Sequence, residues 1–233
     1  MPTIPPVASS AELVARVFDT NSTLIRAVAA LSLFLLGFSA KAQTPADWPC
    51  RQRYVPGLSE GAVWTGPALN EASRNWTGDP ELTALVEKVA SRTTPVAAAV
   101  AAIHDYAAKL PDKDRLAKLP RLFSGVFATI DAERNQIING IRRYSRRQGS
   151  LAKRIEERSS ELSRLPVSGD PAIAAHASEL EQQLYWDSRI FDDRKRMLPY
   201  ICDQPVVLEQ RLFTLTQEIL ADMPATATLP TQP

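Results

Sequence analysis

Residues 116–165 read LAKLPRLFSGVFATIDAERNQIINGIRRYSRRQGSLAKRIEERSSELSRL, and this stretch decides the fold. Apolar side chains recur along it at alternating spacings of three and four residues. They are Leu116, Phe123, Phe127, Ile130, Ile137, Ile141, Tyr144, Leu151, Ile155, Leu162 and Leu165. A period of 3.5 residues keeps one seam of a long helix facing a partner helix. Polar side chains take three slots of this seam, Arg134, Gln148 and Arg158, and we interpret them as markers of helix register.

A second heptad series follows a short break at 166–169. Asp170-Pro171 opens it with a helix cap and a proline at the first helical position. Its seam residues are Ile173, Ala177, Leu180, Leu184, Asp187, Phe191, Arg194 and Leu198, and then Ile201, Leu208, Leu212, Leu215 and Ile219. Because proline removes a helical hydrogen bond, Pro199 and Pro205 predict two helices, near 171–198 and 204–222, that are coaxial or kinked.

Two long seams joined by a short break predict an antiparallel helical hairpin. Each arm holds about 50 residues, or roughly 75–80 Å of helix. Asp79-Pro80 and Thr94-Pro95 predict two shorter helices before it, near 80–92 and 95–110. The predicted fold is therefore all-α, an elongated hairpin or bundle with coiled-coil character, preceded by an irregular arm.

Charge supports the pairing of the two long helices. Residues 112–165 have a net charge of +6, and residues 166–233 have a net charge of −5. Counting back from the break places residue 147 near 188 and residue 142 near 193. We therefore expect four arginines to face Asp187, Asp192 and Asp193. These arginines are Arg142, Arg143, Arg146 and Arg147.

The same four arginines form the strongest charge run of the chain, so they are also the candidate partner-binding residues. Pairing inside the hairpin is one reading, an acidic protein partner is a second, and a nucleic acid or another anionic polymer is a third. Nucleic acid is disfavoured because export would separate the protein from it.

Residues 43–78 differ in composition from everything after them. They contain Trp48, Trp64 and Trp76 among prolines and glycines that break helices. We expect an irregular arm that packs its indoles onto the helical body. The alternative is an aromatic platform for a ligand or a glycan.

Residues 24–42 have the three parts of a secretory signal peptide: Arg26, an apolar run of 14 residues before Lys41, and the small-x-small site Ala40-Lys41-Ala42. A membrane anchor needs about 20 apolar residues. The predicted organisation is a removed leader with a long lead at 1–42, an arm at 43–78, a helical domain at 79–222 and a disordered tail at 223–233. We expect a periplasmic or secreted protein without a membrane span after processing.

Processing also balances the charge. The chain has 27 basic and 26 acidic side chains, and removal of residues 1–42 leaves 24 of each. Cys50 and Cys202 both remain, and two thiols in an oxidising compartment usually pair. We therefore predict a structural disulfide between them, with two free thiols or a redox pair as alternatives.

No catalytic, nucleotide-binding or metal-binding motif is present, and only two histidines occur, His104 and His176. His104 and Asp105 cannot act together, because adjacent residues of a helix point about 100° apart. The sequence predicts a non-enzymatic envelope interaction or scaffold protein with a protein partner, no nucleic acid and no cofactor, and it leaves homo-oligomerisation open. The alternative function is a binding module for a small hydrophobic ligand, between the Ala-rich helix near 95–110 and the Trp arm.

Overall fold

The computed structural model describes residues 44–225, so the predicted signal peptide and most of the predicted tail lie outside the described residues. The described residues form six helices and no strand. In chain order they are α1 (Glu60–Val63), α2 (Glu71–Arg74), α3 (Pro80–Ala90), α4 (Val96–Ala108), α5 (Asp112–Arg164) and α6 (Pro171–Ala221). The two long helices, α5 and α6, pack against each other as an antiparallel hairpin, which confirms the predicted fold class.

The core lies at one end of the hairpin, which we call the base, where α3 and α4 join the two long helices. Its fully buried side chains include Leu82 and Val86 of α3, Phe123 of α5 and Leu212 of α6. Arg211 of α6 is buried among them, and its guanidinium donates to the carbonyl oxygens of Val89 and Thr94. The bonds to Val89 satisfy a buried carbonyl group in the last turn of α3. Burial lowers the pKa of Arg211 from its ordinary value.

The width of the buried face of α5 changes along the helix, because different helices pack against its two ends. Leu116 was predicted in the seam, but it is 39% exposed, whereas Leu119 and Leu122 are fully buried. At the base, helices pack on several sides of α5, so its buried face is wider than a two-helix seam. Towards the other end, which we call the tip, Ile155 and Leu162 are only half-buried because α6 alone covers them.

The proline-based prediction of two helices after residue 170 is wrong. Helix α6 runs without a break from Pro171 to Ala221 through Pro199 and Pro205. Each proline removes one helical hydrogen bond, but contacts on either side fix the helix. Buried Cys202 and Leu208 hold it to the arm and to the core. Pro120 likewise lies inside α5.

The prediction that the four arginines face Asp187, Asp192 and Asp193 is also wrong. The contacts between α5 and α6 are displaced from the predicted ones by about one helical turn or more. Tyr144 donates to the carbonyl oxygen of Arg194 at 2.7 Å, whereas counting placed residue 144 near 191. Helical side chains tilt towards the N-terminus of their own helix. In an antiparallel pair this tilt moves each side-chain contact of α5 towards later residues of α6. Asp187 consequently meets Arg154 and Arg158 rather than the predicted arginines.

The arm at 44–78 lies lengthwise along α5. The backbone N–H of Leu58 donates to Asp131 at 3.0 Å, and Arg134 donates to the carbonyl oxygen of Val55 at 3.1 Å. Further along, Arg121 donates to the carbonyl oxygen of Asn75 at 2.6 Å. The arm also contains the two short helices α1 and α2.

Met223, which the sequence placed in the tail, is 7% exposed and packs into the core. Within residues 44–225, no helix is both long enough and apolar enough to cross a membrane.

Candidate partner-binding surface

The four predicted arginines occupy two different environments on α5. Arg142 and Arg146 both bind the carboxylate of Asp47 in the arm, and Arg142 Nε lies 2.9 Å from Asp47 Oδ1. The guanidinium of Arg142 also lies over the ring of Tyr54, 5.7 Å from its centre. The hydrogen bond from Arg142 lowers the pKa of Asp47 and raises that of Arg142.

Arg143 and Arg147 are exposed and have no ion pair with any described residue. They lie four residues apart, on one face of α5, and line a groove of about 430 Å3. Arg194 of α6 lines the same groove, and its side chain has no ion pair in the described part of the chain either. We call Arg143, Arg147 and Arg194 the arginine surface.

Two further arginines line this groove, Arg146 and Arg154, but their charges are compensated. Arg146 is paired with Asp47, and Arg154 binds both carboxylate oxygens of Asp187, at 2.8 and 2.9 Å. The hydrogen bond from Arg154 lowers the pKa of Asp187. The groove is therefore rich in arginine, and three of its arginines have no ion pair with any residue of 44–225.

Sequence reasoning missed Arg194 as a member of this surface. The sequence analysis assigned Arg194 to the seam. Because the predicted register of α5 against α6 was displaced, Arg194 was not placed beside Arg143 and Arg147. The signal that could have found it is the N-terminal tilt of helical side chains, which brings residue 194 to the level of residue 144.

The three polar seam residues all bridge the two long helices. Arg134 is 2% exposed, and its Nε lies 2.6 Å from Glu209 Oε1. Gln148 donates to the carbonyl oxygen of Phe191 at 2.8 Å, and Arg158 pairs with Asp187. These contacts agree with their interpretation as register markers.

The three tryptophans of the arm have separate surroundings. Trp64 is buried and stacks on Phe123 of α5 with ring centres 4.4 Å apart, and its Nε1 donates to the carbonyl oxygen of Pro67. Trp76 packs close to Gly125 of α5. Trp48 donates to the carbonyl oxygen of Gln52 at 2.7 Å and meets the ring of Tyr54 edge to face. The indoles of Trp64 and Trp76 thus meet α5, rather than framing a space beside the Ala-rich helix α4.

Cys50 and Cys202 form a disulfide, with their sulfur atoms 2.00 Å apart. The prediction that these two cysteines pair is confirmed. Next to it, Gln52 of the arm donates to Asp203 of α6 at 3.2 Å. The arm is thereby joined to both helices of the hairpin.

His104 of α4 bridges two carboxylates at the C-terminal end of α6. Its Nδ1 lies 2.8 Å from Asp222 Oδ2, and its Nε2 lies 3.1 Å from Glu218 Oε2. The hydrogen bond to Asp222 raises the pKa of His104 above its ordinary value. The site ties α4 to the C-terminal end of α6.

A second cavity, of about 370 Å3, opens beside the arm between the two long helices. Its walls are largely apolar and include Pro49, Phe191 and Leu198. The side-chain oxygen of Gln148, another lining residue, is buried without a hydrogen-bond partner.

Among residues 44–225, no group of three or more histidine, cysteine, aspartate or glutamate side chains is arranged to hold a metal ion. No protein-family model matches the chain, and comparison with curated proteins and with solved structures finds no significant match.

Proposed function

We propose that this is an exported, non-enzymatic interaction protein of the cell envelope, and that it binds an acidic segment of a protein partner on its arginine surface. The hairpin acts as a rigid scaffold that holds the surface away from the base. Its coiled-coil character and its exported location are part of this proposal.

The observation that carries the proposal is that Arg143, Arg147 and Arg194 line one groove and form no ion pair within the described part of the chain. The mature chain would be neutral, so this local excess of charge is not a consequence of a basic composition. Arginine forms bidentate hydrogen bonds with carboxylates, and this geometry adds specificity to the attraction. A surface of this kind favours a partner with closely spaced acidic side chains.

The surroundings of the arginine surface favour a short acidic segment over a long polyanion. Towards the tip, the next groove of α5 is lined by Glu156, Glu157 and Glu161 as well as by Lys153 and Arg164, and Lys153 pairs with Glu157. The excess of positive charge therefore does not continue along the helix, as the binding of a nucleic acid or a long anionic polymer would favour.

Two features support export. Residues 24–42 have the pattern of a cleavable leader, and the disulfide between Cys50 and Cys202 suits an oxidising compartment.

The test is binding of a fluorescent poly-glutamate peptide to the full chain, purified with its disulfide intact and followed by anisotropy. The wild type should bind in a salt-dependent manner, because exposed charges are screened by salt. The variant Arg143→Glu/Arg147→Glu should bind at least about tenfold more weakly, as expected when charge-assisted bonds are replaced by repulsion. The control variant Lys88→Glu/Lys109→Glu makes the same change of net charge on exposed residues of α3 and beyond α4, and should bind as the wild type does.

Equal binding by the wild type and the arginine variant would overturn the proposal. Strong binding of polyphosphate or heparin, with no binding of the peptide, would replace the acidic protein by an anionic polymer.

The cavity beside Pro49 favours one alternative function, a binding module for a small hydrophobic ligand. Its volume of about 370 Å3 lies within the range of small-molecule sites, and its walls are mostly apolar. A ligand detected by mass spectrometry after denaturation of the purified protein, and lost in Ala152→Trp, would support this alternative.

A further inference from the structure

The cavity beside Pro49 lies between α5 and α6, and the arm closes one side of it. Its volume of about 370 Å3 is in the range of small-molecule sites. Phe191 and Leu198 of α6 and Ala152 of α5 line it together with Pro49. Because these side chains are apolar, the cavity suits the apolar body of a small molecule.

Contacts on both sides of Pro49 fix the wall that the arm contributes. Asp47, two residues earlier, binds two arginines of α5. Cys50, the next residue, is bonded to Cys202 of α6, and their Cα atoms lie 5.6 Å apart. Leu198 precedes Cys202 by about one helical turn. The two walls are therefore held together before any ligand binds, and a ligand does not have to order the arm.

The charged residues of the cavity are all basic. Arg194 and Lys195 line it, and none of the described residues that line it is acidic. Neither side chain forms an ion pair with any residue of 44–225. Arg194 also belongs to the arginine surface, whereas Lys195 lines only the cavity of these two sites. An apolar space with two basic side chains is complementary to a molecule that has an apolar body and a negative charge.

The cavity and the groove of the arginine surface lie on opposite sides of the seam between α5 and α6. On α5, Gly149 and Ala152 line the cavity, whereas Arg143 and Arg147 line the groove. At about 100° per residue, these two pairs fall on either side of the seam residue Gln148. Each site therefore has residues on α5 that do not take part in the other.

We propose that this cavity binds a small amphiphilic carboxylate, with its apolar chain between Pro49 and Phe191 and its carboxylate beside Lys195. Arg194 supplies a second positive charge. A medium-chain carboxylate such as decanoate has this chemistry. The inference goes beyond the proposed function and does not rest on it, because a ligand in the cavity leaves the other two arginines of the arginine surface uncovered.

The test is a calorimetric titration of the full chain, purified with its disulfide intact. Decanoate should bind, and the affinity should rise by up to about fourfold for each CH2 group added from hexanoate to decanoate, because each group leaves water for an apolar wall. Decylamine has the same chain with a positive charge and should bind at least about tenfold more weakly, since like charges repel.

Two variants examine the two parts of the site. Ala152→Trp should fill the cavity and weaken decanoate binding at least about tenfold. Lys195→Glu should weaken the binding of decanoate by a similar factor and strengthen that of decylamine, because it reverses a charge that the ligand meets. Lys195 is exposed, so this variant should fold as the wild type does. Circular dichroism and thermal melting check both variants.

The control variants keep the cavity intact. Lys88→Glu makes the same change of net charge on an exposed residue of α3. Trp186→Ala/Tyr200→Ala removes two exposed aromatic side chains of α6 that do not line the cavity. Both should bind decanoate with the affinity of the wild type. A loss in the second control would show that decanoate binds the exposed face of α6 instead, which would overturn the proposal.

The cavity and the arginine surface can fail independently. Arg143→Glu/Arg147→Glu should lose poly-glutamate binding and keep its affinity for decanoate, and Ala152→Trp should do the reverse. The proposal is overturned if decanoate does not bind, if it binds Lys195→Glu as tightly as the wild type, or if decylamine binds the wild type equally well.

Discussion

Gly125 of α5 allows both the arm and α3 to pack closely against this helix. A Cβ atom at this position would lie 2.6 Å from Val86 Cγ2 and 2.9 Å from Trp76 Cδ2. Gly125→Ala should therefore destabilise the protein by about 1–3 kcal/mol, as overpacking of a core does. Urea denaturation measures this change.

Gly149 of the same helix is the matched control, because a Cβ there would have no neighbour within 4 Å. Gly149→Ala should stabilise the protein by about 0.5–1 kcal/mol, since alanine loses less backbone entropy in a helix. Equal effects of the two substitutions would contradict the close packing at Gly125.

His104 makes the stability of the base depend on pH. Asp222 and Glu218 favour its charged form, and the hydrogen bond to Asp222 raises its pKa in the folded protein. A raised folded pKa gives stabilisation that is fully present below the unfolded value of about 6.5 and is lost as the pH rises through the folded pKa. The difference in unfolding free energy between the wild type and His104→Gln should therefore be largest in mild acid and smaller in mild base.

Thermal melts of both proteins across this pH range measure that difference. In a Glu218→Gln/Asp222→Asn background, His104→Gln should have an effect that no longer varies with pH in this way. A constant difference in the natural background would show that the two carboxylates do not act on His104.

The contacts of Asp187 fix the register of the two long helices. Its side chain is only 11% exposed and binds Arg154 and Arg158 of α5. A double-mutant cycle of Asp187→Asn and Arg154→Gln should give a coupling of about 1 kcal/mol, since Arg154 is half exposed and solvent weakens the pair. The corresponding cycle at Lys153 and Glu157, both largely exposed, should give a coupling near zero. Absence of coupling between Asp187 and Arg154 would contradict the claim that their contact fixes the register of the two helices.

The long helices show what the sequence could predict and what it could not. The heptads predict two paired helices and the polar bridges between them, because a repeat constrains every turn in the same way. Side-chain tilt shifts the contacts beyond what counting gives, so Arg142 does not reach Asp193. Pro199 and Pro205 predicted breaks, because local propensity carries no information on the tertiary contacts that keep α6 continuous.

The path of the arm was harder to predict than the pairing of the long helices, for a different reason. Residues 44–78 have no period, so nothing in their sequence fixes their path or the ion pairs of Asp47 with Arg142 and Arg146. Its attachment at Cys50 was predictable, because only two cysteines occur in the chain. The sequence predicted only part of the arginine surface. Arg143 and Arg147 belong to an obvious charge run, whereas Arg194 lies beside them only because of the packing of α6 on α5.

The disulfide should stabilise the fold by restricting the unfolded chain. It joins residues 152 positions apart, and in the chain-entropy model a loop of this size is worth about 4–5 kcal/mol. Reduction, or Cys50→Ser/Cys202→Ser, should lower the unfolding free energy by up to this amount while the helices remain. Chemical denaturation followed by circular dichroism measures the loss. A redox role would instead appear as a change in peptide binding on reduction with little change in stability.

For the whole molecule, the proposed leader and the disulfide make linked predictions, because a leader would direct the chain to an oxidising compartment, in which disulfides form. Exported protein should begin at Gln43 and contain no free thiol, and N-terminal sequencing and a thiol count measure these two properties.

Ala40→Leu/Ala42→Leu should block cleavage, since the site requires small side chains. Ala46→Leu, beyond the site, should leave it unaffected. A chain started at Gln43 and made in a reducing cytosol should keep both thiols free. Membrane-bound protein that retains residues 24–42 would identify them as an anchor and contradict cleavage, whereas exported protein with two free thiols would contradict the disulfide alone.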